Sequence, residues 1–400
     1  APAMKFIHRR AGDTEIYFVS NQQKTGRTVD CTFRIGGKVP ELWHADSGRT
    51  ETLALYREAN GATTIPIQFD PAGSVFVIFR TSAASDHAVA ISSDGKELPA
   101  AGRSAAIEIQ KATYGASDDP AKSRDVTSEV QQLVAAGRDT LPVADFNKNG
   151  DPAYGVIKTL TVNYRVDGQA RTVSASEGGE VSFAQPSMAG ADIHKLWRSQ
   201  DGGLYLQSGV CASYEIKMAS GKTVSVQAPA LPAALTLDGP WRLTFLPKLG
   251  APATVDFDHL MSWTESTDAG VKYFSGTATY EKDVEIPAEY LESRRQLLLD
   301  LGAVKNIAEV SLNGKPLGVL WKAPFSVDIT DAAQAGKNKL EIRITNLWPN
   351  RMIGDQKLPE AQRITWASVQ PYRADSPLLP SGLLGPVRIV PSEILTVAQP

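Results

Sequence analysis

The chain has 400 residues, a formal net charge of −3, 42% hydrophobic and 21% charged residues, ordinary globular usage that supports packed cores rather than a disordered chain. There is no basic stripe to hold a phosphate backbone, so no nucleic-acid partner is expected. No apolar run approaches the roughly 20 residues of a membrane-spanning helix, so no membrane partner is expected either.

At about 150 residues per domain the length implies two or three domains. Short alternating or β-branched runs recur between Gly, Asp and Asn turns, which is the pattern of strands. Lys5–Arg10 and Glu15–Ser20 flank Ala11-Gly12-Asp13-Thr14 and read as a hairpin. Thr28–Ile35 ends at Gly36-Gly37, and Pro40–Trp43 precedes the turn Ser47-Gly48. Thr50–Glu58, Ala62–Phe69 and Ser74–Arg80 follow, and this regular spacing implies a sandwich. Residues 81–104 are rich in Ala, Ser, Gly and Asp and read as a boundary with one hairpin at Asp94-Gly95.

Residues 105–200 differ in character. Ala106–Ala112 is a strand, and Ser123–Gly137 holds a helix whose Val126, Val130, Leu133 and Val134 share one face. Asp125 or Thr127 suits its start and Gly137 its end. Val156–Val166 and Arg171–Ser176 flank a turn at Asp167-Gly168. Sandwich-style strands return at Leu204–Ser208, Ser213–Met218 and Thr223–Gln227, followed by a linker containing Pro229, Pro232 and Pro240. From Trp241 a further sandwich is expected, with strands at Trp241–Leu246, Tyr273–Val284, Gln296–Leu301, Ile307–Leu312, Leu317–Leu320, Phe325–Ile329, Lys339–Asn346 and Val387–Val390. Asn313-Gly314 is its strongest hairpin signal, and Pro287–Arg294 reads as a short helical turn. The fold class is all-β: multiple β-sandwich or jelly-roll domains with one small inserted β-rich module carrying a short helix.

Cys31 and Cys211 are the only cysteines. They form neither a disulfide framework nor a metal knuckle, leaving two buried thiols or one long-range pair. His8, His44, His87, His194 and His259 are scattered without zinc-site spacing. No nucleophile elbow or P-loop is present. Ala1-Pro2-Ala3 leads straight into Phe6-Ile7-His8, the start expected of a processed or truncated product, with a periplasmic or secreted location. Glu41, His44 and Asp46 beside Trp43 read as a solvated strand edge.

Phe274–Lys282, Val310–Gly318, Trp321–Phe325, Asp328–Thr330 and Gly336–Leu340 resemble the sugar-binding, galactose-binding-like jelly roll of family 2 type glycoside hydrolases. Thr345–Asp355 and Ser381–Val387 resemble the C-terminal end of family 106 α-L-rhamnosidases. Ile7–Arg10, Ile16–Asn21 and Pro40–Trp43 resemble the stretch that follows the catalytic barrel in those enzymes. The resemblance covers about 4–80 and 204–392. Residues 105–185 fall outside it and look like an accessory domain of unknown function, with Ala112-Thr113-Tyr114-Gly115, Asp125-Val126-Thr127 and Gly150-Asp151-Pro152 upstream of Lys158. The implied domains are 1–85 plus 204–230 as a discontinuous sandwich, 86–203 as an inserted module, and 231–400 as the jelly roll. Insertion into a surface connection is cheap in loop-closure terms.

The resemblance implies inverting hydrolysis of α-L-rhamnosides by two glutamates in a (β/α)₈ barrel, with calcium in the parent enzyme. Inversion places an acid and a base carboxylate roughly 6.5–9.5 Å apart. This chain lacks the alternating strand–helix pattern of a barrel, so no catalytic residue and no cofactor are assigned to it. The expected partners are a rhamnose-containing glycan and the enzyme's own catalytic barrel. The alternatives are a free-standing carbohydrate-binding or adhesion protein, or a small β-scaffold enzyme such as a polysaccharide lyase.

Two stretches are candidate sites. Trp321, Trp348, Trp366 and Tyr372 can stack on sugar rings, with Asn350, Arg351, Asp355 or Arg363 bonding hydroxyls. The competing reading is packing in a core or against another domain. Asp145, Asn147, Asn149 and Asp151 supply oxygens with the early spacing of a calcium loop, and Gly150 falls at its sixth position. Val156 stands where the bidentate Glu belongs, so an Asx-type turn is the competing reading.

Overall fold

The computed structural model describes residues 4–23, 26–82, 86–93, 95–98, 107–116, 119–135, 138, 140–166, 169–183, 194–199 and 202–398. The turns expected at Asp94-Gly95 and Asp167-Gly168 and the helix end at Gly137 lie wholly or partly outside them. The chain is all-β, with a few short helices. No helix among the described residues is long and apolar enough to cross a membrane. The described residues divide into two units, one formed by 4–183, 194–231 and 393–398, the other by 232–392.

In the first unit, β1 (Met4–Ala11), β2 (Thr14–Asn21), β3 (Arg27–Phe33), β4 (Lys38–Trp43), β5 (Thr50–Thr52), β6 (Arg57–Ala59), β7 (Ala62–Phe69) and β8 (Ser74–Ser82) form two antiparallel sheets. Their orders are β1-β2-β8-β4-β5 and β3-β7-β6. Tyr17, Val19, Val75, Val77 and Phe79 alternate inward to meet Phe33, Ile65, Ile67 and Phe69, as the two-residue strand period requires. The single strand expected over Thr50–Glu58 is two strands in different sheets. Ala54, Leu55 and Tyr56 between them are buried where the chain crosses over. A continuous apolar run hides such a crossover from sequence.

The outer face of the larger sheet also carries an apolar row. Ile7 faces Phe18, Phe18 faces Phe76, and Phe76 faces Trp43 across four strands. The Phe18 and Phe76 rings lie 5.0 Å apart. Ile7, Arg9, Ile16, Phe18 and Phe76 line a groove of about 370 Å³ on this face. At its far side Glu41 is buried, not part of a solvated edge as expected. It accepts from Arg80 Nε at 2.8 Å and Trp43 Nε1 at 3.0 Å, and the Arg80 guanidinium lies over the Trp43 ring.

The same unit continues through β9 (Ala88–Ser93), β10 (Lys96–Glu97), β11 (Glu108–Gly115), β12 (Ser123–Asp125), α1 (Thr127–Ala135), β13 (Thr140–Pro142), β14 (Thr159–Val166), β15 (Gln169–Ser176) and β16 (Glu180–Ser182). It then runs through β17 (His194–Arg198), β18 (Leu204–Ser208), β19 (Ser213–Met218) and β20 (Thr223–Gln227). The sheet β12-β11-β14-β15, the pair β13-β16 and α1 enclose their own core of Ala112, Tyr114, Val130, Leu160 and Val162, among others. This is the helix-bearing module. Ser123–Asp125 pairs with β11, and the helix starts at Thr127, whose N–H donates to Asp125 Oδ1, one of the two residues expected at its start.

Beyond this module, strands from 88–97 and from 393–398 join the strands of 204–227. β19 pairs with β9, and β9 with β10, so residues 88–97 share a sheet with 213–227. Ile91, Tyr214, Ile216 and Met218 form a core there with Leu204, Leu206, Leu395 and Val397. The Ala- and Ser-rich composition of 81–104 conceals that pairing. Cys31 is half-buried and Cys211 exposed, both as free thiols. Burial, with Asp30 beside it, pushes the Cys31 thiol up to about 11.

The second unit contains β21 (Leu235–Thr236), β22 (Trp241–Phe245), β23 (Thr254–Phe257), α2 (Ala269–Lys272), β24 (Thr277–Ile286), β25 (Arg295–Asp300), β26 (Ala303–Lys305), β27 (Ile307–Leu312), β28 (Lys315–Leu320), β29 (Ser326–Asp328), β30 (Gly336–Thr345), α3 (Pro349–Asp355), β31 (Gly382–Gly385) and the start of β32 (Arg388–Ala398). One sheet runs β23-β22-β24-β30-β27-β28. β21 pairs with residues 388–389, β25 with β29, and β26 with β31. Trp241, Leu243, Tyr280, Leu297, Leu299, Ile342 and Ile389 lie in the common core.

The Asn313-Gly314 turn between β27 and β28 has φ of 53° and 77°, the left-handed pair that a two-residue hairpin demands. Asn313 also ties the turn down, donating to Ala332 O and Asn338 Oδ1 and accepting from Lys339 N. At the core's polar centre the Tyr280 hydroxyl accepts from Trp263 Nε1 at 2.6 Å and Leu383 N at 3.1 Å. A Cβ at Gly382 would come within 2.7 Å of that hydroxyl, so only glycine allows β31 to pass.

Back in the first unit, His44 belongs to a charge cluster centred on Glu51. His44 Nε2 is 3.5 Å and Arg49 Nη1 3.1 Å from its carboxylate, and Lys195 Nζ also bonds it. Burial opposes the Glu51 charge, but His44, Lys195 and Arg49 outweigh it and hold the carboxyl down to about 2. The unfolded chain takes up this proton near pH 4.5, the folded one only near 2. The cluster therefore stabilises the fold at and above pH 4.5, and that stability is lost as pH falls toward 2. Glu51→Gln is expected to remove stability on the order of 3 kcal/mol at neutral pH. It should also flatten the acid limb of melting temperature against pH between 4.5 and 2; an unchanged limb would show that the cluster contributes nothing.

Candidate carbohydrate site

The stretch from Trp348 to Tyr372, expected as a long polar loop, opens with helix α3. Pro349 stands at its first turn, where no donor is lost. Its buried residues include Asn350, Arg351 and Asp355, so three of the expected sugar ligands face inward.

Each has a partner in the chain. Asn350 Nδ2 donates to Leu379 O at 2.7 Å and Ser381 Oγ at 2.8 Å, and Asn350 Oδ1 accepts from Leu379 N at 2.8 Å. Ser381 N in turn donates to Ser262 Oγ at 3.1 Å. Asp355 Oδ2 accepts from Thr365 N at 2.7 Å, Thr365 Oγ1 at 2.6 Å and Ile364 N at 3.2 Å. Arg351 Nη2 is 2.9 Å from Asp355 Oδ1, with both side chains buried. Arg351 Nε is buried without a hydrogen-bond partner among the described residues, a donor the clasp itself does not use.

The helix thus pins the loop at both ends, near 364–365 and near 379–381. Sequence reasoning missed Thr365, Leu379, Ser381 and Ser262. No local spacing signals such contacts, since they join residues up to 119 positions apart.

The aromatic candidates behave oppositely. Trp348 is 73% exposed, Trp366 86% and Trp321 58%, so they do not pack in the core of this unit. Tyr372 is half-buried. Arg363 is half-buried, with Nε donating to Leu358 O at 3.3 Å. Trp321 follows β28, and among the described residues no hydrogen bond or ring contact joins it to the Trp348–Tyr372 loop. The arrangement is a fixed loop with buried polar anchors and outward indole rings, suited to stacking on an apolar sugar face.

The calcium-type stretch is built differently. Asp145 accepts from Lys148 Nζ at 2.7 Å and Arg138 Nη1 at 3.2 Å. Asp151 accepts from Ala153 N at 2.9 Å and Lys158 Nζ at 3.1 Å. Asn147 is exposed, and the side chain of Asn149 lies outside the described residues. No group of three or more His, Cys, Asp or Glu side chains that could hold a metal occurs among the described residues.

Residues 1–58 match the family model of α-L-rhamnosidases. Residues 263–375, which include Trp348–Tyr372, match the glycosyl hydrolase 2 galactose-binding domain-like model. Both expected resemblances therefore hold over these stretches. The solved rhamnosidase from Novosphingobium sp. PP1Y superposes with a TM-score of 0.57 at 28% identity, over 98% of this chain and 25% of that one. A putative beta-glucuronidase from Formosa agariphila is 28% identical over 503 residues, covering 96% of this chain and 42% of that protein. The chain thus spans less than half the length of either relative, and its relatives are glycoside hydrolases.

Asp355→Ala is expected to destabilise the second unit by about 3–5 kcal/mol, because it leaves Arg351 buried without its counter-charge. It should also open 356–381 to limited proteolysis under conditions where the parent chain resists; equal resistance would show that Asp355 does not hold the loop.

Proposed function

We propose that this chain is the non-catalytic β portion of a longer α-L-rhamnosidase-like glycoside hydrolase, packed against the catalytic part of that protein. The observation that carries the reading is the two-faced apolar sheet of the first unit. One face closes the sandwich core, while the Ile7–Phe18–Phe76–Trp43 row on the other stays open. A contiguous apolar face on a soluble domain marks a surface that another protein surface covers. It belongs largely to the stretch matched by the rhamnosidase family model. The partial coverage of both relatives supports the same reading. The chain on its own is expected to hydrolyse an aryl α-L-rhamnoside no faster than buffer; robust turnover would overturn the proposal.

The exposed Trp348 and Trp366 favour a second reading, carbohydrate binding by the pinned loop. Titration calorimetry against a rhamnose-containing oligosaccharide separates the two. Binding that weakens about tenfold in Trp348→Ala supports a sugar subsite, and no heat in the parent chain leaves the structural role alone.

A further inference from the structure

The helix-bearing module of the first unit carries a second display of aromatic and polar groups, unrelated to the Trp348–Tyr372 loop. Residues 151–158 form a loop closed on itself. Asp151 bonds both Ala153 N and Lys158 Nζ, and Val156 N donates to Ala153 O at 3.1 Å. Lys158 Nζ also lies 3.4 Å from Glu177 Oε2, and Glu177 N donates to Lys158 O at 2.8 Å. The Lys158 side chain is only 6% exposed, so it acts as an internal strut between two carboxylates.

On this frame Tyr154 is 95% and Ile157 71% exposed. A loop so tied has already given up its conformational freedom, which lowers what binding must repay. Beneath it, the Tyr114 hydroxyl is buried with no hydrogen-bond partner among the described residues. Burial, with Glu177 adding to it, raises that phenol above its ordinary value. A buried donor left unpaired is unfavourable.

Size decides what kind of ligand fits. One aromatic ring and one aliphatic side chain present a few hundred Å² at most, far below the roughly 1,000 Å² of a specific protein–protein contact. The area suits one pyranose, whose apolar face can lie on an aromatic ring while its hydroxyls bond polar groups of the same loop.

We propose that the 151–158 loop is a carbohydrate-binding site of this module, with Tyr154 as the platform and Asp151 and Glu177 as acceptors for sugar hydroxyls. The choice of ligand class rests on the reading that the chain serves a glycoside hydrolase. The test uses the full chain on an array of neutral oligosaccharides containing rhamnose, galactose or xylose, followed by calorimetry with the best-bound member. Tyr154→Ala and Ile157→Ala, both at exposed positions, are expected to keep the parent melting curve. Tyr154→Ala should weaken one class of binding event at least tenfold while Trp348→Ala leaves that class intact. The proposal is overturned if Tyr154→Ala titrates like the parent chain, or if no array member binds. Rhamnoside turnover by the chain would instead defeat the non-catalytic reading and leave this result standing, so the two failures are distinguishable.

Discussion

The buried polar face of α3 is the constraint on which the candidate site depends. The 356–381 segment offers few buried apolar side chains of its own, so hydrophobic burial cannot hold it. Its position comes from Asn350 gripping 379–381 and Asp355 gripping 364–365. A buried pair such as Arg351–Asp355 adds little net stability, since desolvation offsets most of the attraction. What it adds is a single geometry, because any other arrangement would strand a charge. The outward placement of Trp348 and Trp366 follows from that inward commitment.

Much of the fold was legible because strand signals are local. The Asn313-Gly314 turn, the inward alternation of β2 and β8, and the short helical turn at Ala288–Leu291 all follow from nearest-neighbour chemistry. What escaped depends on distant partners. Thr50–Glu58 reads as one strand because nothing local shows that Ala54–Tyr56 pass between sheets. Residues 88–97 read as boundary because their partner strand lies more than a hundred positions on. The candidate site split along the same line. Aromatic side chains read as sugar platforms by type, and Trp321, Trp348 and Trp366 stand exposed while Tyr372 is half-buried. Asn350, Arg351 and Asp355 were identified by type too, but chemistry alone could not say whether they face a ligand or their own backbone.

The calcium-like spacing at Asp145–Asp151 shows how a motif depends on its surroundings. Lys148, Arg138 and Lys158 supply the positive charge beside these carboxylates. Oxygen spacing alone does not describe such a stretch, because Lys148 within it and Arg138 and Lys158 beside it bond the same carboxylates. The same lysine, Lys158, ties down the adjoining loop: it is shared between carboxylates that begin and flank it.

The path of β32 bears on how the chain is made. Residues 393–398 pair with Leu204–Ser208 and contribute Leu395 and Val397 to a core of the first unit, although all of 232–392 lies between them in sequence. During synthesis the earlier unit therefore waits, one strand short, while the later one is translated. At ordinary elongation rates of about 5–20 residues per second, that delay lasts on the order of ten seconds or more. For that interval Leu204 and Leu206 lack the strand they finally pair with, so the nascent chain carries an open sheet edge until residues 393–398 emerge.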